Sequence, residues 1–215
     1  MTKKTKIVCI SDTHTKHDEL TIPECDILLH SGDATFRGQA GEIRDFGRWF
    51  GQQKATHKVF VPGNHDLMFE DDFHKAKRYL QQESDSDIIV LNQNYIILEG
   101  LGIYGEPRQP WFYDWAFNVE RPNMKQVWNK VPKHTDILVT HGPPLDYGDM
   151  TLRGEAVGCK YQKQLIESRD DLQLVVCGHI HSGYGLYELN NTVVANASVC
   201  NERYNVTNGP LVVYL

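Results

Sequence analysis

The sequence predicts an α/β protein of two packed, mixed β-sheets flanked by helices, and three observations carry that prediction. Apolar strands alternate with amphipathic helical stretches through the first half, strands predominate toward the C-terminus, and short polar motifs sit directly after apolar runs. Helices covering the outer faces of two sheets suit the first two observations. The third suits loops gathered at the carboxyl ends of strands, where open α/β sheets place their ligands.

Taken in order, Lys6–Ser11 and Asp26–His30 read as the first strands. Gly41–Gln53 reads as a helix, because Ile43, Phe46, Trp49 and Phe50 form one apolar stripe at i, i+3, i+6, i+7. Strand Lys58–Val61 follows, and Asp71–Gln82 has helical character. Ile88–Leu91, Tyr95–Glu99 and Gly102–Tyr104 read as short strands, the last two joined by a glycine-containing turn. A helix is expected near Glu120–Asn129, then strand Asp136–Thr140, helix Lys160–Ser168 and strand Leu172–Cys177. Gly183–Leu189, Thr192–Ala195 and Leu211–Tyr214 are the closing strands.

A chain of 215 residues is expected to form a single domain over 1–215 with a proper core. Its 40% hydrophobic and 23% charged content is that of an ordinary globular protein. No apolar run approaches the ~20 residues of a membrane-spanning helix. Met1 to Lys6 is basic, but the apolar Ile7–Ile10 behind it is too short for a signal-peptide core, so a cytoplasmic location is expected. Cys9, Cys25, Cys159, Cys177 and Cys200 are widely spaced and form no CxxC pair, which points to reduced thiols. The net charge of −6 and the lack of a long basic tract disfavour long nucleic acid as a partner.

Five motifs carry the chemistry: Asp12-Thr13-His14, Gly32-Asp33, Gly63-Asn64-His65-Asp66, Thr140-His141-Gly142 and Gly178-His179-Ile180-His181. In extended chain, residues i and i+2 point to one side, so Asp12 and His14 can reach one metal. Asp33, behind a glycine that permits a tight turn, is the candidate carboxylate to bridge two cations. Asn64 offers a neutral oxygen ligand. His65 is then expected beside the site, free to protonate a leaving oxygen, with Asp66 orienting its imidazole. His141, His179 and His181 follow apolar runs, and the last two can divide between two metals. Donors of N and O without thiolate suit Mn²⁺, Fe or Zn²⁺.

The ordered set D-x-H, G-D, G-N-H-D, H-G and G-H-x-H, from Asp12 to His181, resembles the calcineurin-like metallophosphoesterase superfamily. Gly105–Trp111, His141-Gly142-Pro143-Pro144, Gly158-Cys159, and Asn196-Ala197-Ser198 before Thr207-Asn208 resemble its smaller metallophosphoesterase-domain group. The resemblance implies a β-sandwich flanked by helices. It implies one metal held by Asp12, His14, Asp33 and His181, a second held by Asp33, Asn64, His141 and His179, and His65 as the non-ligand catalytic histidine. Some animal members lack one histidine of the G-H-x-H segment, whereas both are present here. Asp66 stands where many members have Glu, and Glu106 and Arg108 stand where a small residue and an aromatic are more usual.

The expected activity is a two-metal phosphodiesterase acting on a small phosphodiester such as a cyclic nucleotide, by in-line attack of a metal-bridging hydroxide. The alternatives are a phosphomonoesterase or nucleotidase with the same site, or a catalytically silent metal-binding scaffold. The aromatic stretch from Pro107 to Trp115 reads equally as a surface loop pinned by its own aromatics or as a wall overhanging the site. Trp111 would offer a stacking face there, and Arg108 or Arg153 would meet a phosphate.

Overall fold

Ile7-Val8-Cys9-Ile10 is buried throughout, and a strand buried on both faces needs a covering layer on each side. The computed structural model, which describes residues 4–215, supplies both layers. Met1, Thr2 and Lys3 of the basic N-terminus lie outside the described residues.

The chain runs through β1 (Lys6–Ile10), β2 (Cys25–His30), α1 (Ala40–Gly51), β3 (Ala55–Phe60), α2 (Met68–Asp71), α3 (Phe73–Gln82), β4 (Ile89–Val90), β5 (Asn94–Leu98) and β6 (Leu101–Glu106). It continues through β7 (Gln109–Pro110), β8 (Asn118–Val119), α4 (Met124–Trp128), β9 (Ile137–Thr140), α5 (Lys160–Glu167), β10 (Leu174–Cys177), β11 (Gly185–Leu189), β12 (Thr192–Asn196) and β13 (Leu211–Tyr214). One sheet has the order β13-β1-β2-β3-β4 and the other β11-β12-β10-β9-β6-β5. β1 to β4 are parallel with β13 antiparallel at the edge. In the second sheet β6, β9, β10 and β12 are parallel, and β5 and β11 close the edges antiparallel.

Period-two alternation divides the side chains of each sheet between two cores. Ile7, Cys9, Ile27, Leu29 and Val59 of the first sheet meet Ile103, Ile137, Val139, Leu174 and Val176 of the second in the central layer. On the outer face of the first sheet, Val8, Ile10, Leu28 and Phe60 pack on Ile43, Phe46, Phe50 and Leu80 of α1 and α3. On the outer face of the second, Leu138, Val175 and Val194 pack on Met124, Val127, Trp128 and Ile166 of α4 and α5. The result is the predicted pair of mixed sheets between helical layers.

The helices differ from the sequence expectation in two places. The stretch expected as Asp71–Gln82 is preceded by a separate short α2. The break falls at Asp72, whose carboxylate leaves the helix to accept the Lys75 N–H at 3.0 Å as the N-cap of α3. The stretch expected near Glu120–Asn129 is a 3₁₀ turn, Arg121–Asn123, followed by α4, because Pro122 suits the tight first turn. The aromatic loop also contains a ribbon, β7 with β8, that periodicity did not reveal.

Gly47 of α1 lies so close to α3 that an added Cβ would overlap the Leu80 carbonyl oxygen. Gly47→Ala is therefore expected to lower stability by about 1–3 kcal/mol, as overpacking does. Urea denaturation followed by circular dichroism checks this; an unchanged midpoint would show that the two helices can part freely.

Candidate metal centre

Five parallel strands, drawn from both sheets, end on one side of the molecule and deliver polar loops there. Asp12 and His14 follow β1, Asp33 follows β2, Asn64 to Asp66 follow β3, His141 follows β9, and His179 and His181 follow β10. The two sheets are joined at this end. Ser11 N–H donates to Ala197 O at 2.9 Å, and Val199 N–H donates to Ser11 O at 3.0 Å.

The side chains converge on two groups. Asp12, His14 and His181 bring ligand atoms within 4.8 Å of one another, as do Asp33, His141 and His179. His14 Nε2 lies 3.3 Å from His181 Nε2. Asp33 Oδ2 lies 3.3 Å from His141 Nε2 and 3.8 Å from His14 Nε2, so one carboxylate reaches both groups. Asn64 Oδ1 is 2.9 Å from His141 Nε2. All seven expected metal ligands are thus brought together.

The ring orientations fit cation binding. His141 Nδ1 meets Ser31 O and His181 Nδ1 meets Asn201 O, each at 2.9 Å. A carbonyl takes a proton on Nδ1, which leaves Nε2 as the lone-pair nitrogen facing the centre. The amide nitrogen of Asn64 is buried with no partner, so its oxygen is directed by the ligand side alone. Ser198 Oγ donates to Asp12 Oδ2 at 2.8 Å, and His179 N–H donates to the same carboxylate. These residues fit a dinuclear metal site.

Electrostatics agree with the convergence. Burial pushes the Asp12 carboxyl up, but the hydrogen bond and charge of His181, with His141 and His14, hold it well below its ordinary value. Asp33 is likewise lowered, burial being outweighed by His141 and His65. Burial lowers His14 to about 4 and His179 to about 3, which keeps their imidazoles neutral. His141 is raised to about 9, because the Asp33 carboxylate outweighs the effect of burial, so without a cation its Nε2 also carries a proton, which metal binding would displace.

The backbone here is strained. Asp12, His14, Asp33 and His179 have φ of 54°, 40°, 56° and 66°, a region costly for residues with a Cβ and frequent at functional sites. Gly32 permits the approach of the loops: a Cβ there would lie 2.5 Å from His141 Nδ1 and 2.7 Å from the Gly63 backbone.

Two sequence expectations need correction. Asp66 does not orient the His65 imidazole. Its carboxylate accepts N–H groups of Asp33 (2.9 Å), Thr35 (3.0 Å) and Gly63 (2.8 Å) and the Thr35 hydroxyl (2.8 Å), so it clamps the Asp33 loop. The partner of His65 Nδ1 is Phe36 O at 2.9 Å. Adjacency in sequence misled here, because after a strand end the side chains of neighbouring residues diverge. Arg108 is also not part of the cleft over the metal ligands; its guanidinium pairs with buried Glu106 at 3.0 Å. That cleft, about 520 Å³, is walled by Trp111, Phe112, Tyr113, Arg121 and Arg153.

Sequence reasoning missed the carbonyls of Phe36, Ser31 and Asn201, which have no side-chain signature. It also gave no role to Ser198, Trp115 or Tyr204. Ser198 lies in the Asn196-Ala197-Ser198 match, the one available signal. His30, expected as surface or core, is a core residue among Phe46, Phe50 and Phe60.

A four-layer sandwich that presents two Asp/Asn/His groups around one shared carboxylate defines a metal-dependent hydrolase. The chain belongs to the calcineurin-like phosphoesterases, whose family profile matches residues 5–183. It is therefore a metal-dependent phosphoesterase by family. It is 36% identical to human metallophosphoesterase domain-containing protein 1, across 98% of this chain and 71% of that one. Two solved structures share the fold. One superposes with a TM-score of 0.68 at 16% identity, covering 90% of each chain. The other, TT1561 of Thermus thermophilus, superposes at 0.60 and 15% identity, covering 90% of this chain and 88% of that one. Among the described residues no helix is long and apolar enough to cross a membrane.

Asp33→Ala is expected to lose bound metal and His65→Ala to retain it, as read by elemental analysis of purified variants. Asp66→Ala should behave like Asp33→Ala, since it releases the loop that carries Asp33. Full metal content in Asp66→Ala would refute the clamp.

Proposed function

We propose that the protein is a phosphodiesterase acting on small phosphodiesters, such as cyclic nucleotides, with Mn²⁺ as its working cation. The observation that carries this reading is the cleft. Its floor is Asp33, Asn64, His65, His179 and His181, and its wall carries Trp111, Phe112 and Tyr113, 50%, 42% and 74% exposed. Exposed aromatic faces beside a phosphate-sized floor suit a base or another flat group on the ester.

The charges favour a diester over a monoester. Among the described residues Arg121 and Arg153 are the cleft's arginines, and no lysine lines it. Arg121 is occupied by the Val157 and Gly158 carbonyls, at 2.8 Å and 3.2 Å. A singly charged phosphodiester needs fewer cationic partners than a monoester dianion. The modest volume suits a small ester, in keeping with the acidic chain. The five cysteines are free and buried, which supports a reducing compartment such as the cytoplasm.

Divalent cations bound by the two groups would supply a water acidic enough to serve as hydroxide near neutral pH and would neutralise phosphoryl charge. The chain's own residues do the rest. Asp33 and Asn64 would help hold those cations at the floor of the cleft. Tyr204 and Phe36 cover the His14 side with ring contacts of 4.8 Å and 5.6 Å to His14, which limits solvent there. In the reaction water adds to phosphorus and the P–O bond to the departing alcohol breaks with its electron pair on oxygen. We assign His65 as the group that protonates that oxygen. Its Nδ1 is held by Phe36 O, and its Nε2, 3.9 Å from Asp33 Oδ2, faces the floor.

The test removes metal, restores Mn²⁺, and compares bis-p-nitrophenyl phosphate with p-nitrophenyl phosphate. Metal-dependent cleavage preferring the diester is expected, followed by turnover of cyclic nucleotides. Preference for the monoester would move the assignment to a phosphatase or nucleotidase. Two bound metals without turnover of either probe would favour a silent scaffold.

A further inference from the structure

The His65 imidazole is gripped by more than one hydrogen bond. The indole of Trp115 stacks on it with centroids 4.1 Å apart and planes 26° from parallel. His14 meets it edge-on at 4.7 Å and 79°. Arg37 places its guanidinium over the same indole, 4.8 Å from the centroid. Trp115 is not among the residues lining the cleft, unlike Trp111, Phe112 and Tyr113 of the same loop. Its ring therefore meets His65 outside the cleft lining.

We propose that Trp115 is a positioning residue for His65, and that the Phe36–Arg37 turn and the Trp115 loop together fix the plane of the imidazole. The inference rests on the reading of His65 as the proton donor. A hydrogen bond at Nδ1 selects the direction of the ring, but its angular tolerance still allows some rotation about Cβ–Cγ. A stacked indole removes the rotation, because turning the imidazole would lose the face contact. Nε2 is then held toward the floor, and small misplacements of a reacting group are expensive in rate.

Both supports are themselves anchored. Ala116 N–H, next to Trp115, donates to Asn64 O at 3.2 Å, so the indole is tied to the motif that carries His65. Phe117 N–H donates to Glu70 Oε1 at 2.8 Å, and Asn118 Nδ2 donates to Trp115 O at 2.9 Å. On the other side the Glu42 carboxylate accepts the N–H groups of Phe36 (3.3 Å) and Arg37 (3.1 Å). One short turn thus presents both the carbonyl on Nδ1 and the cation on the indole.

The experiment uses the full-length Mn²⁺-loaded protein and a series of aryl phosphodiesters whose leaving groups range from p-nitrophenol to phenol. General acid catalysis matters most for the poorest leaving group, where His65→Ala should lower kcat by about 10²–10⁴-fold. Trp115→Ala should lower kcat there by about tenfold, as a displaced group does, with a much smaller loss for p-nitrophenol, unchanged KM and full metal content. Trp115→Phe, which keeps a ring face, should recover most of the loss. In a His65→Ala background, Trp115→Ala should add nothing.

An equal loss across all leaving groups, or the same loss in the His65→Ala background, would overturn the positioning role while leaving the acid intact. If His65→Ala itself leaves the leaving-group dependence unchanged, the acid reading fails and the positioning role falls with it. Should Trp115→Ala lose metal, Trp115→Leu, which keeps apolar volume without a ring face, is read by the same criteria.

Discussion

A carboxylate that serves two cations must be held by atoms other than those cations, and here the holder is Asp66. Its oxygens collect the N–H groups of Gly63, Asp33 and Thr35 and the Thr35 hydroxyl. One buried side chain thereby ties the turn after β2 to the turn after β3. Burial and the charge of Asp33 push its carboxyl up to about 6, against the pull of those donors. A buried carboxylate is tolerable only where such donors replace water. Asp33 depends on this clamp directly. Asn64 and His65 depend on it through the same turn, and His65 N–H donates to Asp33 Oδ1 at 2.7 Å.

The sheets explain why so much strain can be carried at one end of the molecule. Parallel strands packed face to face deliver every loop from a core whose side chains are buried on both faces. The strand ends are fixed before the loops begin. Four ligands in left-handed backbone and a cluster of imidazoles with mismatched protonation preferences would each cost of order 1–3 kcal/mol or more. Such a set persists only when its surroundings over-determine it. The Ser11–Ser198 bridge is one instance, since it locks the end of the first sheet to the end of the second beside Asp12.

What the sequence made legible follows from this arrangement. Strands were readable because their apolar runs are continuous, and the clustering of the candidate ligands was readable because each motif stands where such a run stops. Asp66 was misread because sequence adjacency to His65 suggests a pair, whereas the fold turns the two side chains apart. Phe36, Ser31 and Asn201 act through carbonyls, which every residue possesses, so no residue type announces them. Asp72 was read as part of a helix because its neighbours are helical on both sides; the cap it forms is a conformational choice. Trp115 was visible only as one more aromatic in a loop of them. Whether such a ring faces substrate or backs a catalytic group depends on the loop's path, set by β7 pairing with β8 and by the Ala116 bond to Asn64.

The candidate metal ligands and the cleft walls sit on different parts of the chain. The ligand loops are short and clamped to both sheets, while the cleft walls come from the 110–113 and 151–155 segments. Glu106 and Arg108 separate the two. They depart together from the pattern of the resembling group, and the structure gives a reason for the pairing. Glu106 is fully buried and accepts Gln93 Nε2 at 3.0 Å as well as the Arg108 backbone and guanidinium. Glu106 alone would be a buried carboxylate without a counter-charge at the end of β6, whereas Arg108, 31% exposed, reaches solvent and neutralises it from the rim. Arg108 is thus used to fix where the aromatic loop leaves the sheet. A change at this pair is therefore expected to shift the start of the loop that carries Trp111, Phe112 and Tyr113 without touching a candidate metal ligand.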